Sequence, residues 1–212
     1  MKLIRGIGIK DIDYPITKSI KVGNNKWKQI WRCPYFSRWD KLMERLGPNN
    51  PHKTYDDKTC CPDWVYFSKF KSWMEEPEWE GLDLDKDILF PGNKVYSPDT
   101  CAFVPPWLNT LILTNSQRKG AHPIGVTYMK DTGKFRSQVS NFSTNTNLHL
   151  GVFNSAQEAH SAWQIGKCEQ IEKALDCYKK EKCFRQDINE ALRLRVVKLK
   201  DENRNDIETT FL

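Results

Sequence analysis

The chain has 212 residues, with 33 lysines and arginines against 27 aspartates and glutamates, a formal charge of +6 and a sequence pI near 8.9. Hydrophobic residues make up 39% and charged residues 28%, and this ordinary balance excludes wholesale disorder. No stretch approaches the roughly eighteen apolar residues of a membrane span, and the N-terminus lacks the apolar core of a signal peptide. We therefore expect a cytoplasmic protein without membrane contact.

Seven cysteines are spread along the chain, and their number is odd. With no export signal, reduced thiols are a better interpretation than disulfides. A structural zinc site is the alternative, but it would need CxxC pairs, and the closest pair in this sequence is the adjacent Cys60 and Cys61. The cysteines therefore favour an intracellular chain and give little support to zinc.

Two helices are predicted in the first part of the chain, after one short strand and a loop near the N-terminus. Hydrophobic residues recur at helical spacing in 34–46 and again in 61–76, where Pro62 suits a first turn. The segment GPNNPH breaks the first helix. The apolar stripes predicted to lie in the core are Trp39, Leu42, Met43 and Leu46 in the first helix, and Trp64, Phe67, Phe70, Trp73 and Met74 in the second.

A hairpin is predicted at LDKDILFPGNKVYSPDTCAFV (84–104), because an extended run is followed by a PGN turn and a second extended run. A short apolar helix, 105–113, should come next. The segment 115–123 is polar and contains glycine and proline, so it is predicted to be a linker between two domains.

The pattern beyond the linker predicts three strands and two helices. The strands are expected at 124–129, 134–139 and 147–153. Ser155 can cap the following helix, with Glu158 completing a capping box. That helix should bury Ala159, Ala162, Trp163, Ile171, Ala174 and Leu175. A last, basic helix is expected at about 185–200, followed by a polar tail that frays.

The three predicted strands would form a sheet with one apolar and one polar face. By the period of two along a strand, Phe135, Ser137 and Val139 should face the helix. The opposite face would collect basic and amide side chains, which can contact base edges and phosphates in a major groove. An ordinary solvated sheet face is the alternative.

The same region resembles the AP2 DNA-binding domain. The features shared with that family are Gly125-Val126, Gly133-Lys134-Phe135 with Ser137 and Val139, Leu150-Gly151 with Phe153, and Glu158-Ala159 with Ala162-Trp163. The resemblance implies a three-stranded antiparallel sheet packed on a helix, with the sheet lying in the major groove. The DNA-contacting positions that it implies here are Thr127, Arg136, Gln138, Ser140, Asn147 and His149. Fewer arginines lie on this face than in plant members.

Basic residues near this sheet and in the last helix could contact phosphates. These residues are Arg118, Lys119, Lys130, Lys134, Arg193, Arg195, Lys198 and Lys200. For the last helix, a solvated face is an equal alternative.

The first part of the chain, together with the AP2-like unit, resembles bacteriophage HNH-type homing endonucleases. The segments that carry the resemblance are CPYFSRWDKLMERL, TYDDKTCCPDWVYFSKFKSWM and LDKDILFPGNKVYSPDTCAFVP. The family implies a ββα finger with a general base, an Asn that orients it, and Mg²⁺ on acidic or His ligands.

The finger's expected catalytic positions fall on residues that suit the chemistry poorly. Asp85 and Asn93 match the acidic ligand and the asparagine, and Asp87 could also hold metal. The base position falls on Lys86, which is protonated at neutral pH and cannot accept a proton unless its pKa is strongly depressed. The last metal position falls near Cys101, and a thiol is a poor Mg²⁺ ligand.

The sequence thus predicts an α+β protein with an HNH-like domain (1–114), the linker (115–123), an AP2-like domain (124–183) and a C-terminal basic helix and tail (184–212). The expected function is sequence-specific binding of double-stranded DNA without cleavage, acting by occupancy like a transcriptional repressor in a bacterial host. The alternatives are an active Mg²⁺-dependent homing endonuclease and, more weakly, a protein-interaction module that binds an acidic partner. No cofactor is expected unless the nuclease is active, and a homodimer is left open.

Overall fold

The computed structural model of the protein describes residues 3–23, 26–50, 55–112 and 121–212. It contains helices and several small sheets, which confirms the α+β class. The chain forms two compact units. Unit 1 comprises Met1–Trp79 and Lys94–Thr100, and unit 2 comprises Glu80–Asn93 and Cys101–Leu212. Most of the expected linker, 115–120, lies outside the described residues, as do Arg118 and Lys119.

The compact units follow different boundaries from the domains predicted from sequence. Segments 80–93 and 101–112 belong to unit 2, although the sequence analysis places them with the N-terminal domain. The reason is hydrophobic: Ile88, Ala102, Val104 and Leu108 are buried in the same cluster as the two C-terminal helices. The boundaries of the two units are therefore set by contacts in the hydrophobic core, which the local sequence pattern does not reveal.

The described residues of unit 1 form two small sheets and two α-helices. The strands β1 (Thr17–Val22) and β2 (Lys26–Arg32) pair antiparallel, and β3 (Thr59–Cys60) pairs parallel with β5 (Val95–Tyr96). The helices are α1 (Pro34–Leu46) and α2 (Phe67–Met74).

The core of unit 1 is aromatic, as the helical stripes predicted. Trp39, Trp64, Phe67 and Phe70 are at most 1% exposed, and their rings contact one another at centroid distances of 5.0–5.5 Å. The indole N–H of Trp39 donates to the Trp64 carbonyl at 2.8 Å, so the buried polar atom of this ring is satisfied.

The helix predicted at 61–76 is interrupted in the structure. A 3-10 turn, Pro62–Val65, comes first, and α2 begins only at Phe67. Between them, Ile9 bonds the chain on both sides: its N–H donates to the Val65 carbonyl at 2.8 Å, and its carbonyl accepts from the Phe67 N–H at 3.0 Å. The prediction of one continuous helix was wrong because this distant segment takes the backbone bonds.

The segment 84–104 is not a simple hairpin. Its first strand, β4 (Asp83–Asp85), pairs antiparallel with β6 (Ala102–Val104) in unit 2. The residues between them include β5, which pairs with β3 in unit 1 instead. The chain therefore leaves this two-stranded sheet after Asp85, contributes β5 to the sheet in unit 1, and returns to the first sheet at Ala102. The short helix that follows, α3 (Pro106–Ile112), agrees with the apolar helix expected there.

The rest of unit 2 is a three-stranded sheet packed on a long helix, as the sequence predicts. The strands β7 (Val126–Met129), β8 (Lys134–Ser140) and β9 (Asn147–Phe153) are antiparallel in the order β7-β8-β9. The helix α4 (Ala156–Tyr178) lies against all three strands. The predicted capping box is present, since Ser155 accepts from the Glu158 N–H and the Glu158 carboxylate accepts from the Ser155 N–H.

The last helix and the tail are more integrated than expected. Helix α5 (Gln186–Arg204) is longer than predicted and packs along α4. The tail does not fray as predicted: Thr209 is 0% exposed, and its N–H donates to Nε2 of His160 at 3.0 Å. His160 in turn donates from Nδ1 to the Ile124 carbonyl, so this buried histidine ties the tail to the chain that enters β7.

Among the described residues, no helix combines the length and apolar character needed to cross a membrane.

Candidate nucleic-acid interface

The β7–β9 sheet has one buried face and one polar face. Ser137 and Val139 are at most 2% exposed and face α4, whereas Lys134, Ser140 and His149 are exposed. This is the alternation expected from sequence. We call the outward side the polar sheet face, and it consists of Thr127, Met129, Lys134, Arg136, Gln138, Ser140, Asn147, His149 and Val152.

Two glycines allow the sheet and α4 to approach closely. A Cβ on Gly166 of α4 would lie 2.8 Å from Cδ1 of Leu150. Gly125, just before β7, has a φ of +81°, and a Cβ there would lie 2.0 Å from Cδ1 of Trp163. Trp163 is 4% exposed, so it cannot move away easily. The sheet is therefore held against a rigid helix, which fixes the direction of its polar side chains.

Pairing across the strands places the candidate DNA-contacting residues in adjacent rows. Arg136 lies between Thr127 on β7 and Val152 on β9, and Gln138 pairs with His149. An irregularity in the β8–β9 register between Ser137 and Gln138 separates the two rows. Paired side chains on one face are about 5 Å apart at Cβ. Arg136 and Gln138 are two residues apart, or roughly 6.7 Å, which is about two base-pair steps.

Arg136 is the cation at the centre of the polar sheet face. The residue is half-buried, and its Nε is buried without a hydrogen-bond partner. The strands themselves contain no acidic residue. A guanidinium presents several N–H donors in a planar fork, which suits two acceptors such as O6 and N7 of guanine. The buried Nε cannot itself reach a partner, but Arg136 forms none of the salt bridges among the described residues, so its terminal N–H groups remain for an anionic or acceptor-rich partner.

The remaining candidate residues surround this centre. Lys130 is exposed in the turn between β7 and β8, and Lys134 is exposed at the start of β8. Ser140 donates to the Asn147 amide oxygen at 3.4 Å, so these two side chains share one edge of the face. The structure thus brings together all eight predicted DNA-binding residues on one side of one sheet and its connecting turn.

The residues of the expected finger also lie together, in the 85–93 loop. Lys86 is 5% exposed, and its Nζ donates to Oδ2 of Asp87 at 2.6 Å and to the Asn93 carbonyl at 2.7 Å. The Asn93 amide donates back to the Lys86 carbonyl at 3.1 Å. These contacts hold the two ends of the loop together, so Lys86 and Asn93 have structural roles. To act as a general base and its orienting amide, the two side chains would have to break these hydrogen bonds.

Asp85 has a similar structural role. It is 7% exposed, and its Oδ1 accepts from the backbone N–H groups of Asp87 at 2.8 Å and Ile88 at 2.6 Å. Burial raises its pKa, with the nearby Asp87 charge adding to the effect and the hydrogen bonds opposing it. Within the described residues, no group of three or more His, Cys, Asp or Glu side chains is arranged to hold a metal ion.

The basic side chains of α5 are mostly engaged within unit 2. Arg195 is 3% exposed and donates to the Asp87 carbonyl at 2.6 Å and to the Ala191 carbonyl at 2.9 Å. Its prediction as a phosphate contact was therefore wrong, because the guanidinium is buried. Lys198 donates to the Phe211 carbonyl and Lys200 to Glu172, whereas Arg193 is exposed. The helix is thus mainly structural.

Sequence reasoning missed the strands β1 and β2. Every residue of both strands is exposed, and the strands are rich in lysine, with large aromatic side chains at the surface. Basic residues do alternate with tryptophan and isoleucine in this part of the sequence. Neither set of side chains is buried, however, and a strand is usually predicted from a pattern that separates buried from exposed residues.

No protein-family model, curated protein or solved structure matches the chain.

Proposed function

We propose that the protein is a sequence-specific binder of double-stranded DNA that reads the major groove with the polar sheet face. The two longer strands of the sheet have seven residues each, so the sheet is about 23 Å long, and its outer strands are about 10 Å apart. The major groove is roughly 12 Å wide, so it admits such an element. Arg136, Gln138 and His149 supply donors and acceptors for base edges, while Lys130 and Lys134 lie at the margin for phosphates.

The observation that carries this proposal is the polar sheet face itself. It has an arginine with an unpartnered buried Nε at its centre and no acidic residue on its strands. An acidic protein partner would also be attracted to the lysines, but it would have less use for the amide and imidazole groups.

The protein acts, on this proposal, by occupying DNA and not by cutting it. The 85–93 loop uses Lys86 and Asn93 to hold its own backbone, and Asp85 accepts two backbone N–H groups. None of these side chains is poised to activate water. A bound protein without cleavage activity would block transcription where its site overlaps a promoter, which is the role of a repressor in a bacterial host. The likeness to phage homing endonucleases fits an origin from that family.

The experiment that tests this proposal combines binding and cleavage on the same duplexes. Gel shifts with a selected site and a scrambled duplex should give tight binding to the first and much weaker, strongly salt-dependent binding to the second. Stoichiometric protein with Mg²⁺ or Mn²⁺ should leave both duplexes intact. Equal affinity for the two duplexes would contradict specific binding, and double-strand breaks at one site would establish the alternative, an active homing endonuclease.

A further inference from the structure

The strands β1 and β2 form a two-stranded antiparallel ribbon that is exposed along its whole length. All six residues of β1 and all seven of β2 are exposed. Trp27 is 70% exposed and Ile30 is 55% exposed. We call this element the β1–β2 ribbon. Isolated two-stranded ribbons are marginally stable and gain nothing from presenting such side chains to water, so the surface indicates a partner.

The ribbon is anchored at its base to the start of α1. The Cys33 N–H donates to the Ile16 carbonyl at 2.8 Å, where the two strands meet the rest of unit 1. The Arg32 guanidinium bonds Asp40 at 2.7 Å and lies over the ring of Phe36. Asp40 also accepts from Arg5, so this end of the ribbon is held by a partly buried ion-pair network.

The charge of the ribbon is entirely positive. Residues 17–32 contain four lysines and one arginine and no aspartate or glutamate. In the part of the chain that the structure describes, none of the salt bridges involves Lys21, Lys26 or Lys28. These charges are thus available for an anionic partner.

The strand register places cations on both faces of the ribbon. Lys28 pairs with Ile20 and Lys26 with Val22, so both lysines lie on one face. Lys21 pairs with Trp27, and by alternation this pair lies on the other face. A membrane or a flat acidic protein surface would contact one face alone. A groove that the ribbon enters edge-on has a phosphate backbone beside each face.

The dimensions of the ribbon fit such a groove. Six or seven residues in extended conformation span about 20 Å. That length covers about six base pairs, and the major groove of B-DNA admits a two-stranded β-ribbon. Lysines on the two faces would reach the phosphates on either side, and the exposed aliphatic and aromatic residues would pack against sugars and base edges.

We propose that the β1–β2 ribbon is a second duplex-DNA contact, which lies in a groove and binds mainly phosphates. It belongs to unit 1, whereas the polar sheet face belongs to unit 2. It shares with the proposed function the choice of duplex DNA as partner, but it does not depend on sequence reading by the sheet. Because phosphate contacts carry no sequence information, the ribbon strengthens binding to every duplex alike.

The test uses the full chain and measures salt dependence. The variant Lys21→Gln/Lys26→Gln/Lys28→Gln removes three charges from the ribbon, and the control Lys41→Gln/Lys69→Gln/Lys173→Gln removes three exposed charges elsewhere. Affinities for a selected and a scrambled duplex are measured from 50 to 200 mM salt. Each lost phosphate contact should reduce the slope of log K against log salt by about 0.9.

In the ribbon variant, the slope of log K against log salt should therefore be smaller than that of the wild type by about 2.7. Between 50 and 200 mM salt, the affinity of the variant should then drop roughly 40-fold less than that of the wild type, by the same factor on both duplexes. The control should change the slope by much less. Equal slopes for the two variants would overturn the inference, as would competition by poly-glutamate as strong as that by duplex DNA. The single changes Lys21→Gln and Lys28→Gln, each expected to reduce the slope by about 0.9, keep the test valid if the triple variant misfolds.

The same series separates this inference from the proposed function. The variant Arg136→Ala/Gln138→Ala is measured beside the ribbon variant on both duplexes. If the sheet variant keeps full specificity while the ribbon variant shows the reduced slope of log K against log salt, the proposed role of the sheet fails and the ribbon contact stands. If the sheet variant loses specificity and the ribbon variant behaves like its control, the ribbon contact fails alone.

Discussion

Replacing Arg136 and Gln138 together by alanine should remove most of the sequence discrimination of the protein. The two side chains lie on the polar sheet face about 6.7 Å apart, which matches two base pairs separated by about two steps. A good bidentate contact to a base contributes about 1–3 kcal/mol of discrimination. Because neighbouring contacts are not fully additive, we expect a loss of about 2–4 kcal/mol for the pair, or roughly 30- to 1,000-fold in specific affinity.

The fold should tolerate this double change. Neither side chain belongs to the buried cluster of unit 2, and the Nε of Arg136 has no hydrogen-bond partner to lose. Melting temperatures should therefore stay within a few degrees of the wild type. The control is Arg204→Ala/Gln186→Ala, which removes the same two residue types from exposed positions on α5.

The assay is a gel shift at fixed salt on the selected and the scrambled duplex. The sheet variant should bind the scrambled duplex nearly as well as the wild type does, so that its specificity ratio falls towards one. The control should keep the ratio of the wild type. Our reasoning is refuted if the sheet variant is folded and retains its specificity ratio, since recognition would then lie elsewhere in the chain.

Three further predictions concern the structure that supports these surfaces. Gly125→Ala should lower the free energy of unfolding by about 2–5 kcal/mol, because its Cβ would meet Trp163 at 2.0 Å and its φ is +81°. In urea unfolding, Gly133→Ala should lose only about 1 kcal/mol, because its φ is +68° but its Cβ would contact only the Tyr128 hydroxyl at 3.9 Å, and equal losses would contradict the packing. Asp85→Ala should lower the free energy of unfolding by about 1–3 kcal/mol, because the backbone N–H groups of Asp87 and Ile88 lose their acceptor. Asp85→Asn keeps an acceptor and should unfold in urea near the wild-type midpoint, and equal losses in the two variants would contradict this role of Asp85. Hydrogen bonds from Arg5, and then from Arg32, lower the pKa of Asp40. The ionised carboxylate therefore stabilises the fold above its unfolded pKa of about 3.9, and this contribution is lost as the pH falls below that value towards the folded pKa. The difference in melting temperature between wild type and Asp40→Asn should shrink from pH 7 to pH 3, and a constant difference would argue against the ion-pair network.

Local signals were sufficient to predict several elements of both units. In unit 1, helix α1 occupies the predicted range, and in unit 2 the capping box at Ser155 is present. The strands β7–β9 and their two faces follow from period-two alternation, since one face had to be buried against α4. In each case the residues that decide the structure are close together in the sequence.

Long-range contacts could not be predicted from the same patterns. Ile9 interrupts the helix predicted at 61–76, although it lies more than fifty residues away in the chain. Arg195 lies at helical spacing from the buried Ile188 and Leu199, but its charge suggested a surface position; in the structure the Asp87 carbonyl accepts a hydrogen bond from the buried guanidinium. The β1–β2 ribbon has no buried face, so the alternation of basic and hydrophobic residues in its sequence does not correspond to a core side and a solvent side. Each miss depends on a partner that the local sequence does not identify.

The central claim is that the polar sheet face reads duplex DNA. The most direct measurement is selection of bound sites from a randomised duplex library, carried out in parallel with the wild type and with Arg136→Ala/Gln138→Ala. The wild type should enrich one motif, whose symmetry will also show whether one or two copies bind, and the sheet variant should lose the enrichment at two or more positions. Selection of no motif by the wild type, or of the same motif with equal enrichment by both proteins, would contradict the claim.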